Sequence, residues 1–105
     1  MKLLQIVPRD GTQLFGAMIR KQAEIRRSGR GTFSRAAGGK RAARWKHVRY
    51  RGSIELKAGE AHAVDARIKS PDHGDEARLT SSFLGWLDRH FGDKLSSVHI
   101  QYGRR

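Results

Sequence analysis

The chain lacks cysteine, has only two prolines and contains no long hydrophobic run. Without cysteine, disulfide bonds, thiolate catalysis and thiolate metal ligands are excluded, and a reducing cytoplasmic compartment is expected. The apolar segment 3–7 ends at Pro8, which makes it too short for a secretory signal or a membrane span. We therefore expect a cytoplasmic protein that does not contact a membrane.

Acidic residues are scarce, above all in the first half of the chain. The chain has 22 Lys and Arg against 10 Asp and Glu, for a formal charge of +12. Residues 1–57 contain 15 basic and three acidic residues, whereas residues 58–105 contain seven of each. Such a concentration of charge predicts a polyanionic partner, and nine of the twelve basic residues within 20–51 are arginines, which suit bidentate phosphate contacts.

Length and composition predict one domain spanning residues 1–105. The chain has 105 residues, of which 37% are hydrophobic and eight are aromatic. This is enough apolar material for one compact core but not for two.

The hydrophobic pattern predicts six elements in the order β-α-β-β-α-β. They are strand 1–7, helix 12–27, strand 45–57, strand 61–69, helix 75–91 and strand 95–102. This order is that of the α+β ferredoxin-like split βαβ, an antiparallel sheet with two helices on one face. If segment 1–7 is not a strand, a three-stranded meander with two helices remains. Open strand edges in either arrangement favour a homodimer.

Two segments of the basic region carry the functional prediction. Residues 28–43 contain four glycines and several arginines without a sustained period, which predicts a mobile functional loop. In the strand that follows, alternation places Trp45, His47, Arg49 and Arg51 on one outward face. A two-residue basic tail, Arg104 and Arg105, ends the sequence.

Interleaved arginine and aromatic side chains are typical of nucleic-acid binding, because the cations hold phosphates while a ring stacks on bases. The predicted binding residues are Arg26, Arg27, Arg30, Arg35, Lys40, Arg41, Arg44, Trp45, His47, Arg49 and Arg51. We expect RNA or single-stranded DNA as the partner. The same charge would also suit an interaction or inhibitor protein that docks on an acidic protein surface.

Catalysis is a further alternative. The outward residues His47, Glu55 and His99, with Arg49 and Arg51, supply the acid, base and cations that a metal-independent endoribonuclease needs. Any small basic domain with five histidines offers similar combinations, so a binding role is favoured over an enzyme. No histidine pair has chelating spacing, and we therefore expect no metal and no other cofactor.

Overall fold

The computed structural model describes residues 1–103, so the predicted basic tail, Arg104 and Arg105, lies outside the described residues. The described part forms six strands and two helices. Their bounds are β1 (Lys2–Pro8), α1 (Leu14–Arg27), β2 (Phe33–Gly38), β3 (Ala42–His47), β4 (Ser53–Ala58), β5 (Val64–Lys69), α2 (His73–Phe91) and β6 (Leu95–Tyr102). All strand pairs are antiparallel, and the strand order is β2-β3-β4-β5-β1-β6.

The α+β prediction is confirmed, but the four-stranded ferredoxin-like sheet is wrong because the described sheet has six strands. The three-stranded alternative is wrong as well, since segment 1–7 forms β1 in the interior of the sheet, between β5 and β6. The predicted helices and the strand 95–102 are present within two residues of their expected bounds.

The predicted mobile loop 28–43 is wrong, because it contains β2 and the beginning of β3. Phe33 is buried and anchors β2, and the buried Gln22 of α1 donates a hydrogen bond from Nε2 to the Phe33 carbonyl at 3.0 Å. Beyond Phe33 most residues of β2 are small and exposed, and the register with β3 shifts between Arg35 and Ala37. A bulge and a solvent-exposed edge therefore remove the alternation by which a strand is recognised.

The predicted continuous strand 45–57 is also wrong, because residues 48–52 form a turn that separates β3 from β4. Gly52 has a φ of +120°, and a Cβ there would lie 2.2 Å from the Lys69 carbonyl oxygen, so the turn requires glycine. The turn brings Trp45 directly opposite Ile54 on the same side of the sheet. The predicted outward orientation of Trp45 is therefore wrong.

A single core fills the space between the two helices and one face of the sheet. Alternate strand residues such as Leu4, Ile54 and Ile68 point into it, and the neighbouring residues in each strand point to the other face. The apolar stripe predicted for α2 is confirmed. Its buried residues include Leu79, Phe83, Trp86, Leu87 and Phe91.

The two faces of the sheet consequently differ. Both helices contribute to the core on one side, and within residues 1–103 no helix covers the other side, which we call the open face. Neither helix of this part of the chain has the length and apolar character to cross a bilayer.

Candidate functional site

The open face carries basic side chains from three neighbouring strands. The alternation that buries Trp45, Leu56 and Ile68 places the intervening residues on the open side, where they are exposed or partly exposed. The cations of this face are Arg44 and Lys46 of β3, Lys57 of β4, and Arg67 and Lys69 of β5. Arg44 and Arg67 flank Glu55 from the two adjacent strands. The sheet therefore presents a basic band rather than single isolated charges.

The open face contains a solvent-accessible groove of about 970 Å³, which we call the open-face groove. Its polar lining comes from both central and edge strands. It consists of Gln5, Arg44, Glu55, Lys57, Asp65, Arg67, His99 and Gln101. Gly38, the last residue of β2, and Gly39 of the β2–β3 connection border one end of the groove. The groove thus runs across strands β3 to β6 and is open to solvent.

The electrostatic balance of the groove is positive. Its carboxylates are Glu55 and Asp65, and the Glu55 Oε1 atom lies 2.7 Å from Lys69 Nζ. The hydrogen bond from Lys69 and the positive charges of Lys69 and Arg67 lower the pKa of Glu55, so this carboxylate is ionised and already paired. In the described residues Arg44, Lys57 and Arg67 form no salt bridge. The groove therefore carries three cations that form no salt bridge. Arg67 and Arg44 also interact with the Glu55 charge, and Lys57 is paired opposite Asp65 in register.

The predicted residues Arg35, Lys40 and Arg41 lie at the β2–β3 end of the groove, and all three are exposed. Arg35 Nη2 donates to the Gly39 carbonyl at 3.1 Å, and Arg41 Nη2 donates to the Ala58 carbonyl at 3.4 Å. Each guanidinium uses one donor within the protein and keeps the others for a ligand. None of these three residues lines the groove, and Arg35, which is paired opposite Trp45, lies on the core side of the sheet.

The other predicted arginines lie at the opposite end of the sheet. Arg26 and Arg27 lie in the last turn of α1 and Arg30 follows the helix, while Arg49 and Arg51 lie in the β3–β4 turn. All five are exposed. This end contains a separate crevice of about 610 Å³. It is lined by Gly31, Thr32, His47, Val48, Arg49, Tyr50, Arg78, Ser81 and Ser82. The predicted set is thus divided between two ends of the molecule.

Trp45 cannot take the base-stacking role predicted for it, because its side chain is 0% exposed. Its ring packs against Phe33, Phe83 and Trp86, with centroid separations of 5.8, 6.3 and 5.2 Å. The imidazole of His99 is the one aromatic ring among the residues that line the open-face groove. Base stacking on this face would therefore depend on His99 and not on Trp45.

His47 has a structural role in the β3–β4 turn. Its Nδ1 atom accepts hydrogen bonds from the backbone N–H groups of Arg49, at 2.9 Å, and Tyr50, at 3.3 Å. A backbone N–H can only donate, so Nδ1 is unprotonated and Nε2 carries the hydrogen that it donates to Ser82 Oγ at 3.1 Å. Burial, assisted by the charge of Arg49, lowers the pKa of His47 and favours this neutral form. In this tautomer His47 cannot remove the Ser82 proton.

The residues predicted for an endoribonuclease are not assembled. His47 lies at the end of β3 beside α2, whereas Glu55 and His99 line the open-face groove. Two strands separate β4 from β6, which places the Glu55 and His99 backbones about 14 Å apart in the sheet direction. A base and an acid must both reach one phosphate, and this set does not do so.

The pKa shift of His47 predicts a pH dependence of stability. Because the folded pKa lies below that of the unfolded chain, the unfolded state binds more protons between the two values. The contribution of His47 is therefore complete above about pH 6.5 and is lost as the pH falls through this window. Urea unfolding of wild type and His47→Gln from pH 8 to pH 5 measures it, since glutamine keeps an N–H donor but does not titrate. Equal pH dependence in the two proteins would contradict the assignment.

The sequence prediction missed Lys46, Lys57, Arg67 and Lys69 as members of the basic surface. The alternating pattern of residues 61–69 places Arg67 and Lys69 on the face opposite the apolar residues, so the sequence did contain a signal for these two cations. The zero net charge of residues 58–105 concealed it. Of the acidic residues of that half, Asp65 lines the groove, and the others lie on α2 and in the connections. No three His, Asp or Glu side chains of residues 1–103 are grouped as a metal site.

Comparison with protein-family models, with curated proteins and with solved structures gives no match for this chain.

Proposed function

We propose that this protein binds nucleic acid by laying a phosphate backbone across the open-face groove. The observation that carries the proposal is the presence of Arg44, Lys57 and Arg67 in one solvent-open groove without a salt bridge among the described residues. Cations held together on a rigid sheet attract a chain of phosphates, because each contact releases counterions from the nucleic acid.

The chemistry of the groove favours backbone contacts over base recognition. Arginine can hold phosphate oxygens with two parallel hydrogen bonds, and the amides of Gln5 and Gln101 can bond to sugar hydroxyls or phosphates. With the His99 imidazole as the one ring lining the groove, binding is expected to depend weakly on base sequence. Both RNA and DNA oligonucleotides should therefore be tested as ligands.

The salt dependence of binding tests this proposal. If about six phosphates are contacted, the affinity for a duplex should fall by about 10³ between 50 and 200 mM salt. Fluorescence anisotropy of end-labelled RNA and DNA oligonucleotides measures this slope without relying on tryptophan emission, since Trp45 and Trp86 are buried. An affinity that does not change with salt, or no binding at 50 mM salt, would rule the proposal out. Retention of an acidic protein but no oligonucleotide would point to the interaction-protein alternative instead.

A further inference from the structure

Strand β6 forms one free edge of the described sheet and β2 forms the other. With eight residues, β6 is the longest of the six strands. A free edge presents unpaired backbone N–H and C=O groups to any other strand, and natural proteins protect such edges with charges, prolines or bulges. The two edges of this sheet differ in that protection.

The β2 edge is protected and the β6 edge is not. The register of β2 is interrupted between Arg35 and Ala37, and an exposed arginine lies at the interruption. In β6 the register shift lies at the Leu95 end, and pairing with β1 is regular from Ser97 to Tyr102. The sequence of β6 contains no Lys, Arg, Asp, Glu or Pro. In a chain of formal charge +12, an eight-residue edge without a formal charge is therefore an exception.

The side chains of β6 add apolar surface to this edge. Val98, Ile100 and Tyr102 lie on the core side of the sheet, opposite Ile6, Leu4 and Lys2. Because β6 is at the edge, however, Ile100 is 37% and Tyr102 is 75% exposed. These are two of the three large exposed hydrophobic residues in the described part, the third being Val48.

We propose that β6 pairs antiparallel with β6 of a second copy of this chain, about a two-fold axis at Ile100. The backbone supports this register. Gly103 donates its N–H to the Met1 carbonyl at 2.8 Å, and antiparallel alternation then directs the N–H groups of Val98, Ile100 and Tyr102 away from β1. Ile100 would exchange two hydrogen bonds with the partner's Ile100, and Val98 would lie opposite the partner's Tyr102.

A second copy fits this edge better than an unrelated protein does. Antiparallel pairing of a strand with itself is self-complementary, so the apolar side of one β6 meets the apolar side of the other. Two molecules of charge +12 repel each other over most of their surface, and the uncharged edge is where this repulsion is weakest. An acidic partner would instead be attracted to the basic groove and the basic ends.

The dimer would also enlarge the proposed nucleic-acid site. Pairing about a two-fold axis perpendicular to the sheet keeps the two open faces on the same side, so the two grooves join. His99 and Gln101 line the groove on β6, and they would lie at the seam between the copies. Only this enlargement rests on the proposed function, because the pairing itself requires no nucleic acid.

Sedimentation velocity in the absence of nucleic acid tests the pairing. The wild-type chain should sediment as a dimer with twice the monomer mass of 11.9 kDa. Ile100→Lys places two like charges against each other at the axis and should halve the mass. The matched control, Ala36→Lys, adds the same charge to the exposed β2 edge and should remain dimeric. A monomeric wild type, or an Ile100→Lys protein that stays dimeric, would overturn the proposal.

A charge-swap experiment separates lost pairing from lost folding. Ile100→Glu alone should also be monomeric, whereas an equimolar mixture of the Lys and Glu variants should recover the dimer mass, because opposite charges then face each other. Recovery requires that both variants are folded and that residue 100 of one copy meets residue 100 of the other. Two monomeric variants that stay monomeric when mixed would contradict the register.

Discussion

Replacing Trp45 by alanine should destabilise the protein by about 3–5 kcal/mol, the usual cost of removing a buried tryptophan side chain. The ring is fully buried and contacts aromatic residues of both β2 and α2, so its loss leaves a cavity between the sheet and a helix. Since small domains are stable by only about 5–15 kcal/mol, much of the folded population would be lost on mild heating. Urea unfolding followed by far-UV circular dichroism measures the change.

Trp45→Phe is the matched control for this substitution. The Trp45 Nε1–H group is buried and has no hydrogen-bond partner in the described structure. Phenylalanine keeps most of the ring packing and removes this unpaired donor, so the cost should be well below that of alanine. If Trp45→Ala left stability unchanged and instead weakened oligonucleotide binding, the ring would be a binding residue and its buried position would be wrong.

Sequence periodicity predicted those elements in which apolar residues repeat without interruption. The stripe Leu79, Phe83, Trp86 and the alternation Val64, Ala66, Ile68 both led to the correct element and the correct buried face. In each case the side chains contact one continuous core, so the apolar residues repeat in the sequence with the period of the helix or strand.

The elements that were missed have weak or broken patterns for identifiable physical reasons. Only Phe33 of β2 is buried, and the bulge after Arg35 shifts the parity of the residues that follow. The turn at 48–52 falls between two alternating segments, and an alternation carried through it assigns Trp45 to the wrong face. Parity cannot be extended across a turn whose length is unknown.

These two errors affected the prediction of the candidate site more than the prediction of the fold. The sequence identified the concentration of arginine, and the arginines are exposed in the structure. It could not show that Arg44 shares a groove with Arg67 of a strand more than twenty residues later, because that neighbourhood depends on the order of strands in the sheet. The hairpin β2–β3 extends the sheet and borders the groove, although composition alone indicated a loop.

We expect nucleic-acid binding to depend on where the cations lie and not only on the total charge of the chain. The double variant Arg44→Ala, Arg67→Ala removes two cations from the groove, whereas Arg20→Ala, Arg89→Ala removes two exposed cations from the outer surfaces of α1 and α2. Both variants have the same net charge, so any effect of total charge is equal in the two proteins.

Oligonucleotide affinity as a function of salt, measured for these two variants and the wild type, tests this claim most directly. Losing two phosphate contacts should weaken binding about 10²-fold at 50 mM salt and reduce the salt slope by about 1.8 for a duplex in the groove variant. The helix-face variant should bind within about threefold of wild type, with an unchanged slope, because long-range effects of single exposed charges are screened. Equal losses in the two variants would show that the open-face groove is not the binding site.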